Sequence, residues 1–333
     1  MVYNSVMRGD ESYGRNWGYY CLLDTFRDIF ERGNSPQRAY QRLLTGMIDS
    51  DFYREQLLTP FEGGFANGGP HQLSRPNFFL VPQGRCAETL LFTTMSEMIA
   101  EKQSSSGDVD NHTLPPVIIS NGFFDTTGAN AAAAGFELHT FLKPGLNDAF
   151  PKELIGKKNS FKGDLDIVKT EQFLSQNPGR TSMILITITN NWAAAQPVSM
   201  ANIRKAAELG RRRGIPVFFD ACRFAENALF IKDFESGYAG KSIAEIVQEM
   251  FSYVDGFTIS LKKDGLSNIG GCLCLRDEGV FARKYEGIGH RLKERQILAY
   301  GNDSYGGCEF LTFSFHLQKY PPHRLMVSFP FLP

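Results

Sequence analysis

No stretch of this 333-residue chain approaches the roughly 18 consecutive apolar residues that a membrane-spanning helix needs. Met1 to Asp10 also lack the basic-then-apolar layout of a secretion signal. Neither sign of charge is in excess: 35 Lys and Arg against 36 Asp and Glu leave a formal charge of −1, so nothing in bulk draws the chain to nucleic acid or to an anionic membrane. Six cysteines, at 21, 86, 222, 272, 274 and 308, show no framework-like spacing. Cys272 and Cys274 alternate with Leu273 and Leu275, which suits reduced core thiols better than a metal site. No Gly-x-Gly-x-x-Gly follows a strand-like run, which removes the usual nicotinamide-dinucleotide fingerprint, and there is no internal repeat. The expected compartment is the cytosol. What is present is a 42% hydrophobic composition, enough to bury a sizeable core.

The apolar pattern alternates between two periods. Tyr19 to Phe30, Arg85 to Lys102, Ile167 to Leu174 and Ser199 to Arg213 repeat at helical spacing, the last ending in arginines as a helix dipole prefers. Ala129 to Gly135 reads as a small-residue helix, and a further helix is expected from just after Arg276 to about Arg295. Pro116 to Ser120, Phe136 to Leu142, Ser182 to Thr189 and Ile215 to Asp220 are strand-like, and the β-branched run from 182 suits a buried parallel strand. This alternation predicts a mostly parallel, helix-covered α/β sheet. Residues 33 to 81 carry Gly63-Gly64, Gly68-Gly69-Pro70 and Pro76 with little periodicity, and read as a long surface excursion.

Two strand ends carry chemistry. Phe257 to Leu275 reads strand, loop, strand, with Ser260, Lys262 and Lys263 where the first strand stops and Gly270-Gly271 where the second begins. Asp220 closes the strand Gly214 to Asp220, at the carboxyl end where open α/β sheets bind ligands, and Arg223 follows three residues later. An amine, a carboxylate and a cation so placed are the groups pyridoxal phosphate requires: a Schiff-base partner, an anion for the ring nitrogen and a cation beside the ring oxygen. Each has an ordinary alternative. Lys263 could be a solvated loop amine, Asp220 a helix N-cap, and Arg223 the partner of Glu226 in a surface ion pair. Gln83-Gly84-Arg85 immediately precedes a helix, where backbone amides form an anion site to which Ser260 could add a hydroxyl.

Asn191-Trp192-Ala193-Ala194-Ala195-Gln196-Pro197-Val198-Ser199-Met200-Ala201-Asn202, Phe218 to Lys232, Lys241 to Ile246 and Ser260 to Gly271 occur in this order. Together they closely resemble the β-eliminating lyases of aromatic amino acids, the family of tryptophanase and tyrosine phenol-lyase. The resemblance covers about residues 1–32 and 82–307. It implies a fold type I pyridoxal-phosphate large domain, a mostly parallel sheet in an α/β/α sandwich. Residues 1–32 would start that domain, 33–81 would be an atypical insertion, 82–307 would bind the cofactor and 308–333 would be a divergent tail lacking most of the C-terminal small domain.

By the same resemblance Lys263, the second of its pair, is the Schiff-base lysine, Lys262 and Gln83-Gly84-Arg85 hold the phosphate, and Asp220 and Arg223 hold the ring nitrogen and oxygen. Phe124 would stack on the ring, the ordinary alternative being a core phenylalanine. Asn191 would touch the ring oxygen and the substrate carboxylate, or else form an ordinary turn. Tyr13 matches a proton donor acting across a subunit interface, while Glu11 and the Asn268 carbonyl match a site for a monovalent cation such as potassium.

Asp125, within Phe-Phe-Asp-Thr-Thr, resembles the tryptophanase version, in which the acid assists proton delivery to indole. Leu266-Ser267-Asn268-Ile269-Gly270-Gly271 leans toward the phenol-lyase wording. The expected activity is therefore cleavage of L-tryptophan to indole, pyruvate and ammonia in a homo-oligomer, a tetramer built as a dimer of dimers. Tyrosine phenol-lyase or carbon-sulfur β-lyase activity is the first alternative, and a catalytically incompetent cofactor-binding chain the second.

Overall fold

The computed structural model describes residues 23, 26, 27, 29–31, 77–105, 114–149, 151–155, 158–265, 267 and 269–301. Among them, seven strands form one sheet: β1 (Phe78–Val81), β2 (Val117–Ser120), β3 (Glu137–Thr140), β4 (Thr181–Thr187), β5 (Val217–Asp220), β6 (Gly256–Ser260) and β7 (Gly271–Leu275). Their spatial order is β1-β7-β6-β5-β4-β2-β3. From β6 to β3 every neighbour is parallel, whereas β7 runs antiparallel to both β6 and β1. The helices are α1 (Gly84–Ser105), α2 (Asp125–Ala133), α3 (Ile167–Gln176), α4 (Met200–Arg213), α5 (Phe224–Phe234), α6 (Ile243–Phe251), α7 (Val280–Lys284) and α8 (Ile288–Tyr300).

The strands read as continuous apolar runs because both faces of the sheet are buried. Successive side chains supply opposite layers: Ile184, Ile186, Val217, Phe219, Cys272 and Cys274 pack on one side, and Met183, Leu185, Phe218, Leu273 and Leu275 on the other. The first layer is closed by α4, α5 and α6 through Ile203, Ala228, Ile246 and Met250, and the second by α1 and α8 through Leu91, Met95 and Leu292. This is the α/β/α sandwich expected from the sequence, and Cys272 and Cys274 are free, fully buried thiols. Phe30 joins the first layer edge-on or tilted to Phe224, Phe251 and Phe257 at ring separations of 5.0, 4.4 and 4.9 Å.

Local chemistry sets the helix ends. Ser199 accepts from the Asn202 amide to start α4, and Gly214, at φ 63°, stops it in the left-handed conformation. Ser242 and Glu245 form a reciprocal capping box on α6.

Two sequence expectations need correction. The excursion read over residues 33–81 does not remain on the surface to its end, because Phe78–Val81 form β1 and all four residues are buried. A four-residue apolar run next to Pro76 offers too few positions to show a period. The single helix expected after Arg276 is two, broken where Gly287 adopts φ 80° between α7 and α8.

Candidate active site

The carboxyl ends of β4, β5 and β6 open onto one pocket, lined on its other side by the start of α1 and by Phe124 and Thr126 at the start of α2. Its floor depends on two glycines. Gly270 donates its amide to the Pro82 carbonyl at 2.8 Å and bridges Gln83, which lays the Gln83-Gly84 backbone across the start of β7. A Cβ on Gly271 would stand 2.5 Å from the Gly84 nitrogen, and one on Gly84 would stand 3.0 Å from the Ser260 Cβ. Gly271 therefore requires glycine for the approach itself, while a side chain at Gly84 would need Ser260 to give by a few tenths of an ångström. The first turn of α1 contains no acidic residue. Gln83, Gly84, Arg85, Ser260 and Lys262 line this end of the pocket, a cradle of amides, a hydroxyl and a cation suited to a phosphate.

Lys263 lines the same pocket, its Nζ 5.2 Å from the centre of the Phe124 ring. Asp220 is buried at 4% exposure and faces the same pocket. Its Oδ1 accepts from the Cys222 thiol at 3.3 Å and its Oδ2 from the Thr127 hydroxyl at 3.3 Å. Burial pushes the Asp220 carboxyl above the ordinary aspartate range, opposed by those two hydrogen bonds and by the charges of Lys263 and Arg223. Burial, reinforced by the charge of Asp220, holds the Cys222 thiol well above its usual value, so it remains a donor.

Asp220 is not a helix cap. The capping function passes to Asp264, whose Oδ2 accepts from the Ala225 and Glu226 amides at 2.7 and 3.3 Å and so ties the lysine loop to the start of α5. Arg223 lines the pocket and also lies 3.9 Å from Glu226, so both readings of this residue find a contact. Asn191 lines the pocket as well. The turn after β4 is held by its neighbour Asn190, which is fully buried and donates to the Asn121 carbonyl.

The pocket also contains groups that the sequence did not single out. Thr189 lines it, is buried, and its hydroxyl has no hydrogen-bond partner. Glu88, one turn into α1, is 5% exposed and pushed up to about 7, chiefly by burial and next by the charge of Asp220. In the sequence Glu88 reads as one more polar residue on an amphipathic helix. Its burial depends on α2 packing alongside, through Thr127 and Asn130.

Asp125 is exposed at the start of α2, between the pocket residues Phe124 and Thr126 but not itself among them. Tyr13, Glu11 and Asn268, the expected proton donor and cation ligands, lie outside the described residues. Among the described residues, no group of three or more His, Cys, Asp or Glu side chains could hold a metal ion.

The residues fit pyridoxal phosphate on three counts. The cradle accepts an anion, the buried Asp220 has only neutral hydrogen-bond donors and suits a cationic ring nitrogen, and the orphaned Thr189 hydroxyl points to a polar partner in the pocket. A three-layer α/β domain with these groups at the carboxyl ends of its parallel strands is a fold type I pyridoxal-phosphate large domain. The sequence profile described as Beta-eliminating lyase matches residues 2–311, and the chain belongs to that family.

Tryptophanase from Salinibacter ruber is 43% identical over 192 residues, covering 57% of this chain and 37% of that protein. Tyrosine phenol-lyase from Lacrimispora saccharolytica is 47% identical over 292 residues, covering 85% and 48%. A probable beta-eliminating lyase from Trichomonas vaginalis is 40% identical over 228 residues, covering 68% and 43%. The chain thus spans less than half the length of each of these relatives.

Proposed function

We propose that the protein is a pyridoxal-phosphate-dependent carbon-carbon lyase that removes the aromatic side chain of an amino acid by β-elimination, with L-tryptophan as substrate and indole, pyruvate and ammonia as products. The observation that carries this reading is the placement of Lys263 and the buried Asp220 on one pocket whose end is an amide cradle. The cofactor supplies an electron-withdrawing ring that acidifies the α-hydrogen of an amino acid joined to its aldehyde carbon. Gln83, Gly84, Arg85, Ser260 and Lys262 bind the phosphate. Asp220 holds a proton on the ring nitrogen, Arg223 and Asn191 face the ring oxygen, and Phe124 covers one ring face. Lys263 would take the α-proton and is the amine that would hold the cofactor when no substrate is bound. Tyr13 and Asp125 are proposed to protonate the departing ring, and Glu11 and Asn268 to hold potassium, in a cytoplasmic tetramer.

Phenol release from tyrosine is the second reading. It is favoured by the Leu266 to Gly271 wording and by the 47% identity to a tyrosine phenol-lyase. Borohydride reduction in the presence of pyridoxal phosphate, followed by peptide mapping, is expected to label Lys263. A label on Lys262, or none, rejects the site. Indole release from tryptophan exceeding phenol release from tyrosine supports the substrate choice, and the reverse order replaces it.

A further inference from the structure

Thr127 bridges two buried carboxyl groups. Its hydroxyl lies 2.6 Å from Glu88 Oε1 and 3.3 Å from Asp220 Oδ2, yet a threonine carries a single proton to give. If both carboxyls were ionised, one of these contacts would set lone pair against lone pair in a buried site. We propose that Glu88 is held as a neutral carboxylic acid and acts, through Thr127, as the positioning residue that keeps Asp220 an anion facing the pocket. This rests on the cofactor reading above.

The neighbouring groups set the direction of the chain. Asn130 Nδ2 lies 3.3 Å from the Arg85 carbonyl, which can only accept, so the amide nitrogen faces that way. The same nitrogen donates to Glu88 Oε2 at 3.0 Å, which makes Oε2 the accepting oxygen and leaves Oε1 to carry the proton. Glu88 Oε1–H then donates to Thr127, and Thr127 donates to Asp220. At the other Asp220 oxygen the Cys222 thiol donates, so both oxygens accept and neither needs a proton of its own.

The groups around Glu88 are Arg85 on its own helix, Thr126, Thr127 and Asn130 from α2, and Asp220 from β5, while Lys263 and Arg223 act on Asp220 from the loops beyond. Raising the pH through Glu88's titration, at about 7, removes the proton. Thr127 then turns toward the new charge, and Asp220 loses a donor and gains a like-charged neighbour.

The test follows the absorption of bound pyridoxal phosphate, which reports charge beside its ring, as pH passes through this region in the wild type and in Glu88→Gln. A glutamine amide can accept from Asn130 and donate to Thr127 at every pH, so it mimics the neutral acid permanently. The expected result is a spectral transition around pH 7 in the wild type, and in Glu88→Gln a full complement of cofactor with that transition gone. An unchanged transition in cofactor-loaded Glu88→Gln overturns the proposal.

Infrared difference spectroscopy of the protein without cofactor gives a second, independent reading. A buried carboxylic acid band is expected below pH 7, lost in Glu88→Gln, and its absence from the wild type overturns the proposal as well. Failure of the cofactor reading itself would look different: the wild type would show no cofactor absorption and no borohydride label at Lys263, while the infrared band would still report on Glu88.

Discussion

Asp264 follows Lys263 in sequence but acts on the helix rather than on the pocket. Burial pushes its carboxyl up to about 6 from an ordinary 3.8, against the two amides it accepts from. The folded protein therefore binds this proton more tightly than the unfolded chain does, so stability is lost as pH rises from about 4 to about 6, by up to about 3 kcal/mol. Asp264→Asn keeps an acceptor for the α5 amides and removes the titration. It should raise stability to urea by on the order of 1–2 kcal/mol at about pH 8, with a smaller or no gain at about pH 4. A gain independent of pH would show that the charge of Asp264 is not the cause.

At the same scale Thr127→Val removes the hydroxyl that joins Glu88 to Asp220 and should lower affinity for pyridoxal phosphate roughly tenfold, the effect of losing one hydrogen bond to a charged group. Equilibrium titration of the cofactor measures it. Lys263 and Asp220 were legible in the sequence because each stands at the end of a strand-like run, where the fold itself aims a side chain at the crevice. Glu88 and Thr127 were not, because their partnership exists only once two helices distant in the sequence lie side by side.

Among the elements, the loop from Asn190 to Gln196 is held by a backbone bridge between those two residues and carries Ala194 and Ala195 at φ 55° and 57°. A left-handed conformation costs a residue with a Cβ about 1 kcal/mol or more, and glycine almost nothing. Ala195→Gly should therefore be neutral to stabilising by up to about 0.5 kcal/mol in thermal unfolding, where the same change inside a helix would destabilise. A clear loss of stability would show that the methyl group makes a contact worth more than the strain.

The opposite outcome is expected at Gly271, where a methyl group would meet the Gln83-Gly84 backbone. Gly271→Ala must move that turn, and is expected to cost about 1–3 kcal/mol and to weaken phosphate binding, read by cofactor titration. The parallel strands and most helices were visible from period and capping alone, as at Ser199, Gly214 and Ser242. β1 was missed because four residues cannot display an alternation, and the α7–α8 break was missed because the apolar spacing continues across Gly287.

For the molecule as a whole, the sheet is buried between two apolar layers, and the cofactor site sits at the carboxyl ends of its central strands rather than within either core. Occupation of that site should stabilise the fold by mass action, by about 2.7 kcal/mol at a ligand concentration a hundred times Kd. Pyridoxal phosphate is thus expected to raise the unfolding midpoint of the wild type, and to raise that of Asp220→Asn by less. Equal shifts in the two proteins would place the stabilising contact elsewhere. Phe30→Ala should lower stability by about 3–5 kcal/mol, since the ring packs against Phe26, Phe224, Phe251 and Phe257 in the first layer.

The antiparallel course of β7 also bears on synthesis. Among the described residues Phe78–Val81 pair in the sheet with Gly271–Leu275 alone, and that same pairing brings Gly271 beneath the Gln83-Gly84 turn. On the ribosome the first half of the phosphate grip emerges long before the second, and a nascent chain that has made β1 must wait through five parallel strands for its mate. Competence to take up the vitamin should arrive abruptly, when translation passes the residues of β7, and a release series stalled on either side of that point would show the step.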